Sequence, residues 1–361
     1  MIYKTNNKKM TDFSKRLNNI TPEILSKIAK IDEIKGQWTA GVNLSPQLLG
    51  RLKKSVLITS SGASTRIEGA RLSDEDVEKF IQGLHITKFR DRDMQEVKGY
   101  YELLENIFIV WETVSFNENS IKHLHKELLK YVEKDARHRG DYKKVENDVA
   151  MFDANGNQIG VVFKTTRAYL TPKQMQELMD WTQKTLKEEK YHPILIIGSF
   201  LVEFLKIHPF QDGNGRLSRI ITNLLLLKSG YSFMPYVSHE KLIEDSKASY
   251  YLSLRKSQQT FTQKNGDITA WLEYFLKILE TQAKMAIDLL SSEKMEKLLS
   301  PNQLLVWDYL LGVTEITAGE IVKNTKVLRP TVNQVLSRLL DMKKIEKIGM
   351  GSTTRYKIIG K

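Results

Sequence analysis

Cysteine is absent from this chain of 361 residues, which excludes disulfide bonds and thiolate metal sites. Long apolar runs are missing as well: the most hydrophobic stretch, residues 194–205, is shorter than a membrane span and contains Glu203. Residues 1–9 are polar and rich in lysine, and no apolar segment follows them, so they do not resemble a secretion signal. We therefore expect a cytoplasmic protein that does not enter a membrane.

Negative charge is also scarce, because 55 Lys and Arg residues outnumber 43 Asp and Glu residues and give a formal net charge of +12. Such an excess favours contact with polyanions. The length suits two or three domains. Most of the chain has helical periodicity, with glycine and proline between the periodic segments, which predicts an all-α architecture. The periodic segments are 76–84, 94–110, 121–132, 172–186, 193–205, 217–227, 241–256 and 268–294.

The most informative feature that is present is the run from His208 to Arg219. Its centre, Gly213-Asn214-Gly215, is unfavourable inside a helix, yet residues 216–228 have a strong helical pattern. The glycines therefore open the helix. Backbone N–H groups at such a turn can converge on an anion, and the helix dipole adds positive charge there. The sequence predicts a phosphate cradle.

Charged side chains surround this cradle. Arg216 and Arg219 are three residues apart, so they share one helix face from which guanidinium groups can grip phosphate oxygens. Asp212 is placed to hold a hard cation such as Mg²⁺ together with substrate phosphates. His208 can accept a proton near neutral pH. The pattern indicates chemistry on a polyphosphate.

The whole run resembles the signature of the Fic family, His-x-Phe-x-Asp/Glu-Gly-Asn-Gly-Arg-x-x-Arg, at every fixed position. The resemblance implies a protein adenylyltransferase, which moves AMP from its substrate ATP to a Ser, Thr or Tyr hydroxyl of a protein. Some members move another phosphate-containing group or remove AMP, and the motif leaves this choice open. The implied roles are general base for His208, Mg²⁺ ligand for Asp212, phosphate cradle for Gly213, Asn214 and Gly215, phosphate contacts for Arg216 and Arg219, and core packing for Phe210.

A second segment, Ser64-Thr65-Arg66-Ile67-Glu68-Gly69, resembles the inhibitory motif of the same family. On a helix, Ser64 and Glu68 lie one turn apart on the same face, and Gly69 can end the helix. The resemblance implies that the Glu68 carboxylate pairs with Arg219 and blocks a productive γ-phosphate position. The alternative is a solvated glutamate that precedes a turn.

Residues 149–163 predict a β-hairpin, because Asn155-Gly156 is a favoured tight turn between two apolar runs. The Fic resemblance implies that this hairpin is a flap that docks the target by strand addition, with Val161, Val162 and Phe163 as docking residues. A purely structural hairpin stays an alternative. The proline-rich stretch that often follows the flap in the family is missing, so target choice is open.

The pattern changes after residue 300, where three short helices precede two alternating strands. This order resembles a winged helix-turn-helix. Its third helix would expose Arg329, Asn333, Gln334 and Arg338, and residues 301–361 carry ten Lys and Arg against five Asp and Glu. Both DNA binding and protein docking fit this module.

The expected architecture is therefore an all-α, Fic-type helical core with a β-hairpin flap, followed by a winged helix-turn-helix domain. The expected divisions are an N-terminal helical region with the inhibitory helix (1–95), the core (96–240), a helical extension (241–299) and the winged helix (300–361). The partners implied are a hydroxyl-bearing protein, with the chain itself as a candidate, and a second copy in a homodimer. A different class also fits, a DNA-binding regulator that uses the cradle as a nucleotide sensor.

Overall fold

The computed structural model describes residues 12–42, 44–83, 91–147, 149–152, 158–262, 266–298, 300–342, 344–349 and 354–359. They divide into two compact units, residues 1–287 and residues 288–361. No helix in these ranges is both long enough and apolar enough to cross a bilayer.

Helices make up most of the described chain, and two short antiparallel sheets complete it. The α-helices are α1 (Asp12–Lys15), α2 (Pro22–Gly41), α3 (Pro46–Ile67), α4 (Asp74–Ile81), α5 (Asp91–Val110), α6 (Glu118–Leu128), α7 (Thr171–Glu188), α8 (Pro193–Ile207), α9 (Asn214–Lys228), α10 (His239–Asp245), α11 (Lys247–Gln259), α12 (Thr269–Leu298), α13 (Pro301–Leu311), α14 (Ala318–Thr325) and α15 (Arg329–Asp341). The strands are β1 (Val149–Phe152), β2 (Gln158–Phe163), β3 (Ile345–Ile348) and β4 (Arg355–Ile358).

Two helices, α8 and α9, form the centre of the first unit. Both are buried at nearly every position. Helix α8 is almost entirely apolar, as expected for a helix in the core of a larger fold, whereas α9 buries Arg216 and Arg219 among apolar residues. A Cβ at Gly198 in α8 would lie 2.7 Å from Leu272 Cδ2, so this glycine lets α12 approach closely. Residues 208–213 link α8 to α9. The signature run therefore joins two helices that the core holds rigidly.

The third helix, α3, brings the predicted inhibitory residues to the same region. Its N-cap is Ser45, whose hydroxyl accepts a hydrogen bond from the N–H of Leu48 at 3.2 Å. Its C-cap is Glu68, and Gly69 follows with a φ of 105° that only glycine adopts easily. The predicted helix end at Gly69 is present.

The predicted hairpin is also present. β1 pairs antiparallel with β2 in a register that joins Val149 to Phe163 and Ala150 to Val161, with irregularities on either side of Ala150 and Met151. The proposed docking residues Val161, Val162 and Phe163 lie on β2. The predicted Asn155-Gly156 turn lies outside the described residues.

Two expectations about helices were wrong. The segment 241–256 is not one helix, because α10 ends at Asp245 and α11 begins at Lys247. Between them the Ser246 hydroxyl donates to the Leu242 carbonyl oxygen at 2.7 Å and also bonds the Tyr274 hydroxyl, which favours a break. Helix α2 was missing from the periodic segments, although its apolar residues recur at helical spacing and are buried.

In the second unit, α13, α14 and α15 surround a core that includes Val306, Ile321, Val335 and Leu339. β3 pairs antiparallel with β4, and Ile316 forms an isolated bridge with Tyr356. Helix α14 starts with a reciprocal capping pair between Thr317 and Glu320. The predicted order of three helices followed by two strands is present. The outer face of α15 exposes Arg329, Asn333, Gln334 and Arg338.

Candidate active site

A cleft of about 260 Å³ lies over the signature run. Most of the residues that line it belong to the two motifs that the sequence pattern had selected. The lining includes Glu68, His208, Asp212, Gly213, Asn214, Gly215 and Arg216, together with Tyr250, Tyr251 and Leu254 from α11. The fold therefore brings the inhibitory segment and the signature run to one site. The sequence analysis placed the three α11 residues in the helical segment 241–256 and assigned them no role in the site.

His208 ends α8 in a left-handed backbone conformation, with a φ of 53° that is unusual outside glycine. Its N–H donates to the Phe204 carbonyl at 2.8 Å. Its ring Nδ1 lies 3.3 Å from the Leu205 carbonyl oxygen, so Nδ1 carries the proton and donates, and Nε2 carries the lone pair. Burial lowers the pKa of His208 to about 4. The ring is therefore neutral at pH 7, as a general base must be.

Asn214 closes the loop after His208. Its side chain accepts a hydrogen bond from the Phe210 N–H at 2.9 Å and donates to the Phe210 carbonyl at 2.7 Å. The side chain, predicted to help cradle phosphate, is thus committed to the loop itself. Any contact that Asn214 makes to phosphate has to come from its backbone.

His125 on α6 supports the same loop, although no sequence pattern selected it. Its Nδ1 accepts a hydrogen bond from the Gly140 N–H at 2.9 Å, so Nε2 carries the proton and donates to the Asp212 carbonyl at 3.0 Å. The ring stacks on Phe210 with centroids 3.8 Å apart. Phe210 is fully buried, as expected for a core residue. Burial lowers the pKa of His125 to about 4.

Asp212 and Arg216 belong to a ring of alternating charges. Arg216 lies 3.0 Å from Glu96 and 3.1 Å from Asp212, and Arg92 donates to Glu96 at 2.8 Å and to Asp212 at 2.9 Å. Burial raises the pKa of Asp212, but the charge of Arg216, the Gly213 N–H and the charge of Arg92 outweigh it and leave that pKa below its ordinary value. Asp212 is ionised at neutral pH.

Arg219 is hydrogen-bonded to Ser64 and Glu68, two residues of the predicted inhibitory segment. Its Nε donates to Ser64 Oγ at 2.8 Å, and its Nη2 donates to the Ser64 carbonyl at 2.9 Å and to Glu68 Oε1 at 2.8 Å. Burial lowers the pKa of Arg219, but the Glu68 carboxylate more than offsets this and raises it overall. A Cβ at Gly215 would collide with the Glu68 carboxylate. The glycine thus leaves the space in which Glu68 reaches Arg219.

Three guanidinium nitrogens at this site are buried and have no hydrogen-bond partner among the described residues: Arg216 Nε, Arg216 Nη1 and Arg219 Nη1. Of these, Arg216 Nη1 still forms an ion pair with Glu96 at 3.0 Å. A buried donor without an acceptor costs roughly 1–3 kcal/mol. Both side chains are buried; Arg216 lines the cleft, and Arg219 bonds Glu68, which also lines it. Such donors fit a ligand that brings several anionic oxygens.

Asp212 offers a carboxylate to a metal ion here, and the described part of the chain holds no cluster of three or more His, Asp or Glu side chains that could hold a metal ion by themselves. Mg²⁺ is commonly held by one or two carboxylates together with substrate phosphates. The ionised, partly exposed Asp212 fits that donor set, provided that the nucleotide supplies the other oxygens.

Comparison with known proteins agrees with the geometry. Residues 115–226 match the model of the Fic/DOC family. The chain is 37% identical over 76 residues to a Fido domain-containing protein of Dictyostelium discoideum, which covers 20% of this chain and 53% of that protein. It is 29% identical over 136 residues to protein adenylyltransferase fic-1 of Caenorhabditis elegans, covering 34% of this chain and 24% of that protein. The matches thus span about half or less of these relatives.

Solved structures give a longer match. A Fic family protein from Desulfovibrio desulfuricans G20 is 26% identical, with a TM-score of 0.60 over 95% of this chain and 97% of that one. A Fic domain-containing signaling protein from Bacteroides thetaiotaomicron shares the fold, at 21% identity and a TM-score of 0.59 over 73% of this chain and 97% of that one. Residues 115–226 of this chain therefore form a Fic/DOC family domain.

Proposed function

We propose that this chain is a protein adenylyltransferase that transfers AMP from ATP to a Ser, Thr or Tyr hydroxyl of a protein. The observation that carries the proposal is a set of three buried guanidinium nitrogens on Arg216 and Arg219, which have no hydrogen-bond partner among the described residues, near a cleft that His208 lines. Relatives that are named protein adenylyltransferases support it. The site combines donors for a polyphosphate with a neutral base.

In the proposed reaction His208 Nε2 accepts the proton of the target hydroxyl. The hydroxyl oxygen then attacks the α-phosphorus of ATP, the bond to the bridging oxygen of the β-phosphate breaks, and pyrophosphate leaves. Arg216, held by Glu96, would contact the β-phosphate and Arg219 the γ-phosphate, which aligns the leaving group. Asp212 would hold Mg²⁺, whose charge neutralises phosphate oxygens. The backbone of β2 would dock the target segment as an added strand.

We further propose that the enzyme is autoinhibited by Glu68. A γ-phosphate and the Glu68 carboxylate would compete for the same guanidinium group of Arg219, because both are anions that need its N–H donors. The Ser64 contacts would keep Arg219 in place while the partner changes. Activation then requires that the Glu68 carboxylate, which follows the last residue of α3, leaves Arg219 while Ser64 stays in contact with it.

Mass spectrometry tests the chemistry directly. Protein extract is incubated with ATP and the Glu68→Gly chain, and modified peptides are identified by the mass they gain. We expect AMP on hydroxyl side chains, with no modification by Glu68→Gly/His208→Ala. His123→Ala in the same background is the matched control, because His123 is an exposed histidine of α6. A different mass increment would show that the transferred group is not AMP. Loss of AMP from modified peptides would show that the enzyme removes AMP rather than adding it.

A second function, DNA binding, is favoured by the exposed face of α15. Arg329, Asn333, Gln334 and Arg338 all lie there, at the position of the recognition helix in a winged helix-turn-helix. The full-length chain should bind duplex DNA, and each arginine replaced by alanine should lower the salt slope by about 0.9. Salt-independent binding, or no difference between variants, would contradict this. Nucleotide sensing would persist in His208→Ala, whereas transferase activity would be lost.

A further inference from the structure

A buried lysine, Lys143, lies behind the loop that carries the proposed base. Its side chain is 4% exposed. Its Nζ donates to Asn147 Oδ1 at 2.7 Å, to Thr165 Oγ1 at 2.8 Å and to the Ile207 carbonyl at 3.2 Å. A buried ammonium group is costly to desolvate, so its hydrogen bonds have to repay a large penalty. A lysine buried at this cost indicates that its charge or its hydrogen bonds have a role at that position.

The contacts of Lys143 converge on the backbone around His208. Besides the side-chain bond to the Ile207 carbonyl, the backbone N–H of Lys143 donates to the Pro209 carbonyl at 2.8 Å. Asn147, which Lys143 orients, donates to the Phe210 carbonyl at 2.7 Å and reaches the His208 carbonyl at 3.5 Å. Carbonyl groups of four consecutive residues, 207–210, are therefore held by Lys143 and Asn147.

The hydrogen bonds from Lys143 and Asn147 form a clamp on residues 207–210, where the backbone is strained. The left-handed conformation of His208 costs roughly 1 kcal/mol or more for a residue with a side chain, and it persists only when the surroundings enforce it. That conformation also sets the direction in which the imidazole leaves the chain. Without the clamp, the turn could relax and move the ring away from the cleft.

Charge adds a second effect. Burial is the main cause of the low pKa of His208, and the ammonium group of Lys143 lowers that pKa further, whereas the carboxylates of Glu68 and Asp212 raise it. The charge of Lys143 thus acts on the pKa of His208 in the opposite direction to the charges of Glu68 and Asp212. A base that stays neutral over a wide pH range can accept a proton throughout that range.

We infer that Lys143 is the positioning residue of the general base, because its ammonium group and Asn147 together fix the His208 turn and its electrostatic surroundings. The inference rests on the proposed transferase reaction. Lys143 is 65 residues before His208 in the sequence, and no spacing rule connects them. Neither the effect of the Lys143 charge on His208 nor the hydrogen bonds of the clamp could be predicted from the sequence without the folded structure.

The test compares Lys143→Met with Lys143→Arg and with Lys144→Met, a matched control because Lys144 is its exposed neighbour. All are made in the full-length Glu68→Gly chain. We expect Lys143→Met to lower kcat roughly 10- to 100-fold with a KM for ATP changed less than about threefold. The acidic limb of the pH–rate profile should move up by about one unit. Lys143→Arg should restore the pH profile, and Lys144→Met should match the parent.

An NMR titration of the His208 ring, assigned by comparison with His208→Ala, measures the same shift without any transferase assay. If the Glu68→Gly parent transfers no AMP, the proposed function fails, and the titration still decides the role of Lys143. An unchanged His208 pKa in Lys143→Met, together with a loss of kcat that merely follows a lower Tm, would overturn the inference. A loss of kcat in Lys144→Met equal to that in Lys143→Met would also overturn it.

Discussion

The contact between Glu68 and Arg219 yields the sharpest prediction. Arg219 is 2% exposed and Glu68 is 32% exposed, with 2.8 Å between Nη2 and Oε1. Breaking a fully buried pair costs roughly 3–5 kcal/mol, and an exposed pair contributes roughly 0–1 kcal/mol. A pair with one partly exposed partner lies between these limits, at about 2 kcal/mol. That energy corresponds to roughly a 30-fold change in an equilibrium constant.

Replacing Glu68 by glycine should therefore raise the initial rate of AMP transfer about 10- to 100-fold at ATP concentrations below KM. Glu68→Gln should give a smaller gain, because a neutral amide still bonds the guanidinium group but weakly. Stability should change in the opposite sense, since buried Arg219 loses a counter-charge. Activity that rises while Tm falls is the combined signature of a removed inhibitory contact.

The assay follows α-labelled ATP into protein, with transfer to the chain itself and to added protein counted separately. Glu75→Gln serves as the control, because it removes an exposed carboxylate whose ion-pair partner among the described residues is Lys79, one turn along α4. The reasoning fails if Glu68→Gly is destabilised without any gain in rate. It fails equally if the gain persists when His208 is also replaced by alanine.

Three further predictions concern the packing of the site. Gly215→Ala should destabilise the fold by about 1–3 kcal/mol through collision with Glu68, and Glu68→Gly should relieve most of that loss; additive changes in thermal unfolding would contradict the contact. Asn214→Ala should cost about 2–4 kcal/mol in urea unfolding, because two Phe210 backbone groups lose their partner, and a loss below about 1 kcal/mol would refute this. His125 has a folded pKa of about 4, so the unfolded chain binds its proton first and stability falls as pH drops from about 6.5 toward 4. His125→Phe should reduce that slope by up to about 1.4 kcal/mol per pH unit, and an unchanged slope would show that His125 does not contribute.

Local physics explains what could be predicted from the sequence. The helix start in the signature run follows from glycine, since Gly213 caps α9 with a φ of 78°. The end of α3 at Gly69 and the hairpin of β1 and β2 are equally local features. The one-helix expectation for 241–256 was wrong because a serine hydrogen bond, invisible to hydrophobic periodicity, separates α10 from α11.

The sequence by itself thus determined the family, the chemical groups of the signature run and the order of the elements, because all of these depend on neighbours a few residues apart. The folded chain alone decided which distant groups meet. It joined Arg219 to Glu68 over 151 residues, committed the Asn214 side chain to the loop, and placed His125 and Lys143 against the turn of His208. Such contacts depend on how buried helices pack, and packing distance is not encoded in sequence spacing.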